Sequence, residues 1–214
     1  MTRKRRIVLG AAAILVCAVL GFAFGRLRTR RSVAYGGFEP FTINQKVEKV
    51  FDDGRVVREE LITIYTASDG SMREVRARLK ENSDQFDGTP IEQLIRPGKG
   101  SFFVYHTARQ MVQFADSPPV AHLTAEDLTA QPGFDRTEMY LGSRTAFVRR
   151  TVDRDGTAEV WRAPEFGLAV VGYRFRPKDG GYTLIRSTQS IEKGFDSNAW
   201  VDYPAYEQIK QILQ

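Results

Sequence analysis

The chain is 214 residues long and holds one cysteine, Cys17, so the residues after it offer neither a disulfide framework nor a thiol nucleophile. Its formal net charge of +5 suggests a nucleic-acid partner, but eight of the 31 Lys and Arg lie in the first 31 residues, where Asp and Glu are absent. The other 183 residues carry 23 basic and 26 acidic side chains, a formal −3 with no second basic run, which excludes nucleic acid.

The first predicted element is the uncharged stretch Ile7 to Gly25, bracketed by Arg3-Lys4-Arg5-Arg6 and by Arg26, Arg28, Arg30 and Arg31. At about 1.5 Å per helical residue it reaches about 28 Å, close to the roughly 30 Å hydrocarbon core of a bilayer. A single N-terminal transmembrane helix is expected, making residues 1–31 a membrane anchor or signal segment and residues 32–214 a separate domain. A signal peptide has a shorter apolar middle of about 7–15 residues, which favours a retained anchor, although Ala23-Phe24-Gly25 offers a small-residue cleavage site. The basic flanks balance, so charge alone does not set the orientation. Cys17 is expected to face lipid as a small hydrophobe, because Val16 is not the small residue a lipoprotein signal places before its cysteine.

From Gly36 onward the chain reads as strands between turn signals. Residues 41–51 place Phe41, Ile43, Val47 and Phe51 on one parity, and Asp52-Asp53-Gly54 supplies the turn before a return over residues 56–66. Residues 72–80 alternate Glu74, Arg76, Arg78 and Lys80 against Val75, Ala77 and Leu79, which favours a strand over a helix. Residues 101–114 read as two strands joined near Thr107-Ala108-Arg109, and Ser117-Pro118-Pro119 stops sheet pairing. Thr124 is expected to cap a short helix over residues 125–130. A four-strand meander follows over residues 145–152, 157–162, 168–176 and 182–191, and residues 206–213 are expected to form a closing helix. The predicted fold class is mainly β with a few helices, an α+β arrangement in one domain.

Several strands are apolar on both parities: Val56 with Val57, Leu61 with Ile62, Phe102 with Phe103, Val170 with Val171, and Leu184 with Ile185. Such pairs predict that both faces of the sheet are at least partly covered. Two readings stay open, a fully packed interior and a cavity that accepts an apolar guest. No catalytic or cofactor signature accompanies them. His106 and His122 lack metal-ligand spacing, no glycine-rich phosphate loop is present, and Asp52, Asp53, Asp153, Asp155 and Asp179 are explained by hairpin turns. No enzyme activity, cofactor or metal is expected, with a hydrolase using an unrecognised carboxylate pair as the remaining catalytic reading.

The meander carries a family resemblance. Tyr140-Leu141-Gly142-Ser143-Arg144-Thr145, then Glu159-Val160-Trp161-Arg162-Ala163-Pro164-Glu165-Phe166-Gly167-Leu168, then Thr188-Gln189-Ser190-Ile191-Glu192-Lys193-Gly194 resembles the C-terminal half of the LolA-like half-barrel superfamily. That group includes outer-membrane lipoprotein carriers and periplasmic lipoprotein-sensing regulators. The resemblance covers about a third of the chain, in the order of a small-residue link, a strand ending in tryptophan, a proline-glycine turn and a final strand leading to an aromatic tail at Trp200. It implies a curved antiparallel sheet, or half-barrel, whose concave apolar face takes acyl chains or lipidated proteins. With the expected anchor, the chain becomes a single-pass protein of the bacterial inner membrane with its domain on the periplasmic side. A tether argues against shuttling and for a fixed binder, sensor or assembly factor. The expected ligand-binding residues are the strand aromatics Tyr65, Phe103, Tyr105, Phe147, Trp161, Tyr173 and Phe175. The alternative is an envelope scaffold that binds a protein partner without lipid.

Overall fold

A computed structural model describes residues 39–80, 83, 85–117, 123–142, 144–167, 169–194 and 205–210. The stretch Ile7 to Gly25, His122 and Trp200 lie outside them. Among the described residues, no helix is long and apolar enough to cross a membrane.

The turn chemistry read from the sequence sets the first strands. β1 (Phe41–Phe51) and β2 (Val56–Thr66) join where Gly54 adopts φ 84, a conformation only glycine reaches without cost, and where the Asp53 carboxylate accepts the Arg55 N–H at 2.9 Å. β3 (Met72–Arg78) follows a turn closed by Asp69 onto the Ser71 N–H at 2.8 Å. β5 (Gly100–Tyr105) and β6 (Gln110–Ala115) are the predicted pair around Thr107-Ala108-Arg109. Thr124 caps α1 (Ala125–Thr129) in a reciprocal capping box with Asp127. The meander is present as β8 (Arg144–Val152), β9 (Gly156–Arg162), β10 (Val170–Pro177) and β11 (Tyr182–Lys193).

Two strands lay outside the sequence reading, β4 (Ile91–Arg96) and β7 (Phe134–Tyr140). β7 alternates Asp135, Thr137 and Met139 with Arg136, Glu138 and Tyr140, and its many charges hid its period. One expectation is overturned. The described part of the predicted closing helix over residues 206–213 is instead β12 (Glu207–Lys210), a strand parallel to β6, because the open edge of β6 offers hydrogen bonds that a short isolated helix cannot match.

The twelve strands among the described residues form one curved, open sheet in the order β12-β6-β5-β4-β3-β2-β1-β11-β10-β9-β8-β7. Few helices accompany it among the described residues, so the mainly β class holds, in an architecture consistent with a half-barrel. The bend is visible in side-chain reach. The Tyr140 hydroxyl on β7 donates to the Val171 carbonyl on β10, three strands away and about 14 Å distant across a flat sheet. Where β10 meets β11, the ladder covers Gly172 to Phe175, and the β10–β9 register shifts between Val170 and Gly172. The bend at this shift brings Ala146, Val148, Trp161 and Val171 into one core with Ile43, Ile62 and Ile64.

A second, smaller core of Leu94, Phe102, Val104 and Met111 lies on the opposite face of β4 to β6, with Tyr206 packed against it. Coverage of both faces is therefore uneven: Phe102 is buried and Phe103 half-buried, but Val56 and Leu61 are exposed. Ile43, fully buried in the larger core, supplies the simplest test of that packing. Ile43→Ala is expected to lower stability by about 2–5 kcal/mol in equilibrium urea unfolding, against less than about 0.5 kcal/mol for an exposed control such as Val152→Ala.

Candidate functional site

Strand register places a continuous row across the face that holds the larger core: Ile43, Ile64, Glu74, Gln93, Phe103 and Val112. The row is apolar and fully buried at β1 and β2, polar at β3 and β4, and apolar but only half-buried at β5 and β6. Ile95 lies beside it in the next row, and the rings of Phe103 and Phe114 sit 4.4 Å apart. Ile95, Phe103, Val112 and Phe114 thus form an apolar patch that the described residues leave partly open to solvent.

The polar middle of the face is a buried charge network. The Arg186 guanidinium donates to Glu74 at 2.8 Å and also to the Gln45 side-chain carbonyl, while Arg76 donates to Glu74 from the same strand. Gln45 Nε2 in turn donates to the Val170 carbonyl at 2.8 Å and to Thr188 Oγ1 at 2.9 Å, and Thr188 donates to the Val171 carbonyl at 2.6 Å. Glu74 is 7% exposed and Arg186 8% exposed, so each needs the other to offset desolvation. Burial alone pushes the Glu74 carboxyl upward, but Arg186 and Arg76 outweigh it and hold the group at about 2.

A third cluster sits on the other face. Glu92, 2% exposed, accepts two N–H bonds from Arg73, both at 2.9 Å, and contacts His106 Nε2 at 3.1 Å. His106 Nδ1 lies 3.2 Å from the Tyr206 hydroxyl. A carboxylate only accepts, so the contact with Glu92 places a proton on His106 Nε2. On β9, burial and then the nearby Arg149 push the Arg162 guanidinium down to about 10.

The expected ligand-binding aromatics divide between the two faces. Phe103 lies in the apolar patch, and Tyr105, 51% exposed, flanks it on the same face. Tyr173 and Phe175 pair with Arg186 and Leu184 on that face, and Phe147 shares it on β8, next to Phe134 at 6.5 Å. Tyr65 pairs with Arg73 on the opposite face, under a guanidinium 5.6 Å from its ring. Trp161 pairs with Val148, is 8% exposed, and donates its indole N–H to Glu138 at 2.8 Å. Gln45, Glu74, Arg186 and Thr188 escaped the sequence reading. The signal for Gln45 was present, since it interrupts the parity of Phe41, Ile43 and Val47.

No family model and no curated protein matches the chain. Among similar solved structures, an uncharacterized conserved protein from Thermus thermophilus has 14% identity and a TM-score of 0.43, covering 80% of this chain and 90% of that one. MucB of Pseudomonas aeruginosa, solved with MucA, has 17% identity and a TM-score of 0.39, and the match covers 75% of this chain but 54% of that one. A LolA superfamily protein from Nitrosomonas europaea has 10% identity and a TM-score of 0.35, covering 87% of this chain and 98% of that one.

The network gives the fold a pH limit. A carboxyl at about 2 when folded and near 4.5 when unfolded contributes stability that is complete above pH 4.5 and lost as pH falls toward 2. Glu74→Gln leaves two guanidiniums facing a neutral amide. It is expected to cost about 3–5 kcal/mol at pH 7 and to flatten the acid limb of stability measured by urea unfolding between pH 3 and 7.

Proposed function

We propose that the chain is a membrane-tethered, extracytoplasmic binding protein for a hydrophobic ligand, an acyl chain or a lipidated protein, in envelope lipoprotein handling or sensing. The tether is the Ile7 to Gly25 stretch, and the domain faces the periplasm of a bacterial inner membrane. The observation that carries the reading is the half-buried patch of Phe103, Val112 and Phe114, which Ile95 joins to the larger core and which Glu74 and Gln93 border along the adjacent row. Apolar side chains packed against each other on a sheet face that stays partly wet gain further when an alkyl chain covers them. The sequence resemblance to the LolA-like half-barrel supports the same ligand class. The chemistry asked of the site is burial, not bond making, so no catalytic group or cofactor enters the proposal.

The test is native mass spectrometry of the detergent-solubilised chain, followed by titration with a fluorescent fatty acid. Wild-type protein is expected to retain acyl ligands. Phe103→Asp is expected to weaken fatty-acid binding at least about tenfold, because it places a carboxylate against the alkyl chain while perturbing a side chain that is only half-buried. A wild-type chain that neither retains nor binds acyl ligands leaves the envelope scaffold as the better reading.

A further inference from the structure

The two edges of the sheet are protected in different ways. Edge strand β7 carries Asp135, Arg136 and Glu138, charges that discourage another strand from pairing with it. β6 has none: its sequence is Gln110-Met111-Val112-Gln113-Phe114-Ala115, neutral and half apolar. Its protection is β12, and β12 is slight. Four residues pair in parallel with residues 110–113, and three of the four are exposed. Parallel pairing is also the weaker kind, in a sheet whose other ladders are antiparallel.

What holds β12 is a small set of contacts at its start. The Tyr206 ring packs against the core of Leu94, Phe102, Val104 and Met111. Its hydroxyl meets His106, which is oriented by Glu92 and through it by Arg73. The next residue is read as well: the Glu207 carboxylate accepts from Gln110 Nε2 at 3.0 Å, and the Glu207 N–H donates to the Arg109 carbonyl at 3.0 Å. Arg109 stands at φ 53, in the left-handed region where a non-glycine residue is uncommon. The socket therefore recognises tyrosine followed by an acid, with Ile209 paired to Val112 two residues on.

We propose that the β6 edge is a strand-exchange site, and that its entrant is the C-terminal strand of a second copy of this chain. A second copy is the partner certain to carry Tyr206, Glu207 and Ile209 in the required order, and the contacts it would make are those β12 makes within its own chain. Exchange then costs little beyond the entropy of association. The inference concerns the sheet edge and does not rest on the hydrophobic-ligand reading.

Complementary full-length variants test it. Tyr206→Ala spoils the strand and keeps the socket, whereas His106→Ala spoils the socket and keeps the strand. Alone, the isotopically labelled Tyr206→Ala chain is expected to exchange its residue 110–115 amides about tenfold faster than wild type, with β1 and β11 amides unchanged. Mixed one to one with unlabelled His106→Ala, it is expected to form a heterodimer by native mass spectrometry and to regain slow exchange in β6. If the alanine variant disturbs β1 and β11, Tyr206→Phe, which keeps the ring and removes the hydroxyl, takes its place. The proposal is overturned if the mixture behaves as the sum of its two chains, or if the variant strand alone protects β6 as wild type does.

Discussion

Two neutral side chains, Gln45 and Thr188, take the place of the ladder where β10 leaves β11. At the Val170 end of β10 the ladder to β11 stops, and the carbonyls of Val170 and Val171 lose the strand partners that would continue it. A buried carbonyl without a donor costs about 1–3 kcal/mol, enough to forbid the bend unless something replaces the ladder. Gln45 supplies a donor to Val170, Thr188 supplies one to Val171, and Tyr140 from the far side of the curve supplies a second to Val171. With those donors in place, β8 and β9 turn their apolar residues onto the core of β1 and β2.

Gln45 also ties the bend to the charges. Its amide donates toward the bent strand while its carbonyl accepts from Arg186, which reaches on to Glu74. The ion pair therefore lies across the same face, between the packed half and the half-open half. That position has two consequences. It interrupts the row that runs from β1 and β2 toward β6, leaving Met72 and Ile95 beside it as the apolar link, and it gives the open patch a polar border. Displacing either partner would leave a buried charge without its counter-charge.

Much of the strand pattern was legible because turns and alternation are local. Asp52-Asp53-Gly54, the Thr124 cap and the meander follow from residues within a few positions of one another. The facing of the strands was less so. Glu74, Arg76 and Arg78 alternate cleanly with Val75 and Ala77, and that alternation identifies β3, but a period of two does not say which parity points inward. Here the carboxylate of Glu74 is buried, and the reason is Arg186, more than a hundred residues away, which no local pattern reports. The division of the aromatic residues has the same origin. Tyr65 and Trp161 differ from Phe103 and Tyr173 only in register, and register depends on the shifts at Val47/Glu48, Asn44/Gln45 and Val170/Gly172.

The C-terminal segment shows how a sheet edge can override a helical pattern. Ile209, Ile212 and Leu213 have helical spacing, yet a segment of eight residues gains too little from its own hydrogen bonds to hold that form in water. β6, by contrast, presents an edge of neutral and apolar residues that no charge defends. Pairing residues 207–210 with that edge satisfies backbone groups on both sides and seats Tyr206 over a core that would otherwise meet solvent. The conformation of the segment is thus set by the strand it covers, and the weaker the edge's own defences, the more its tail must behave as part of the sheet.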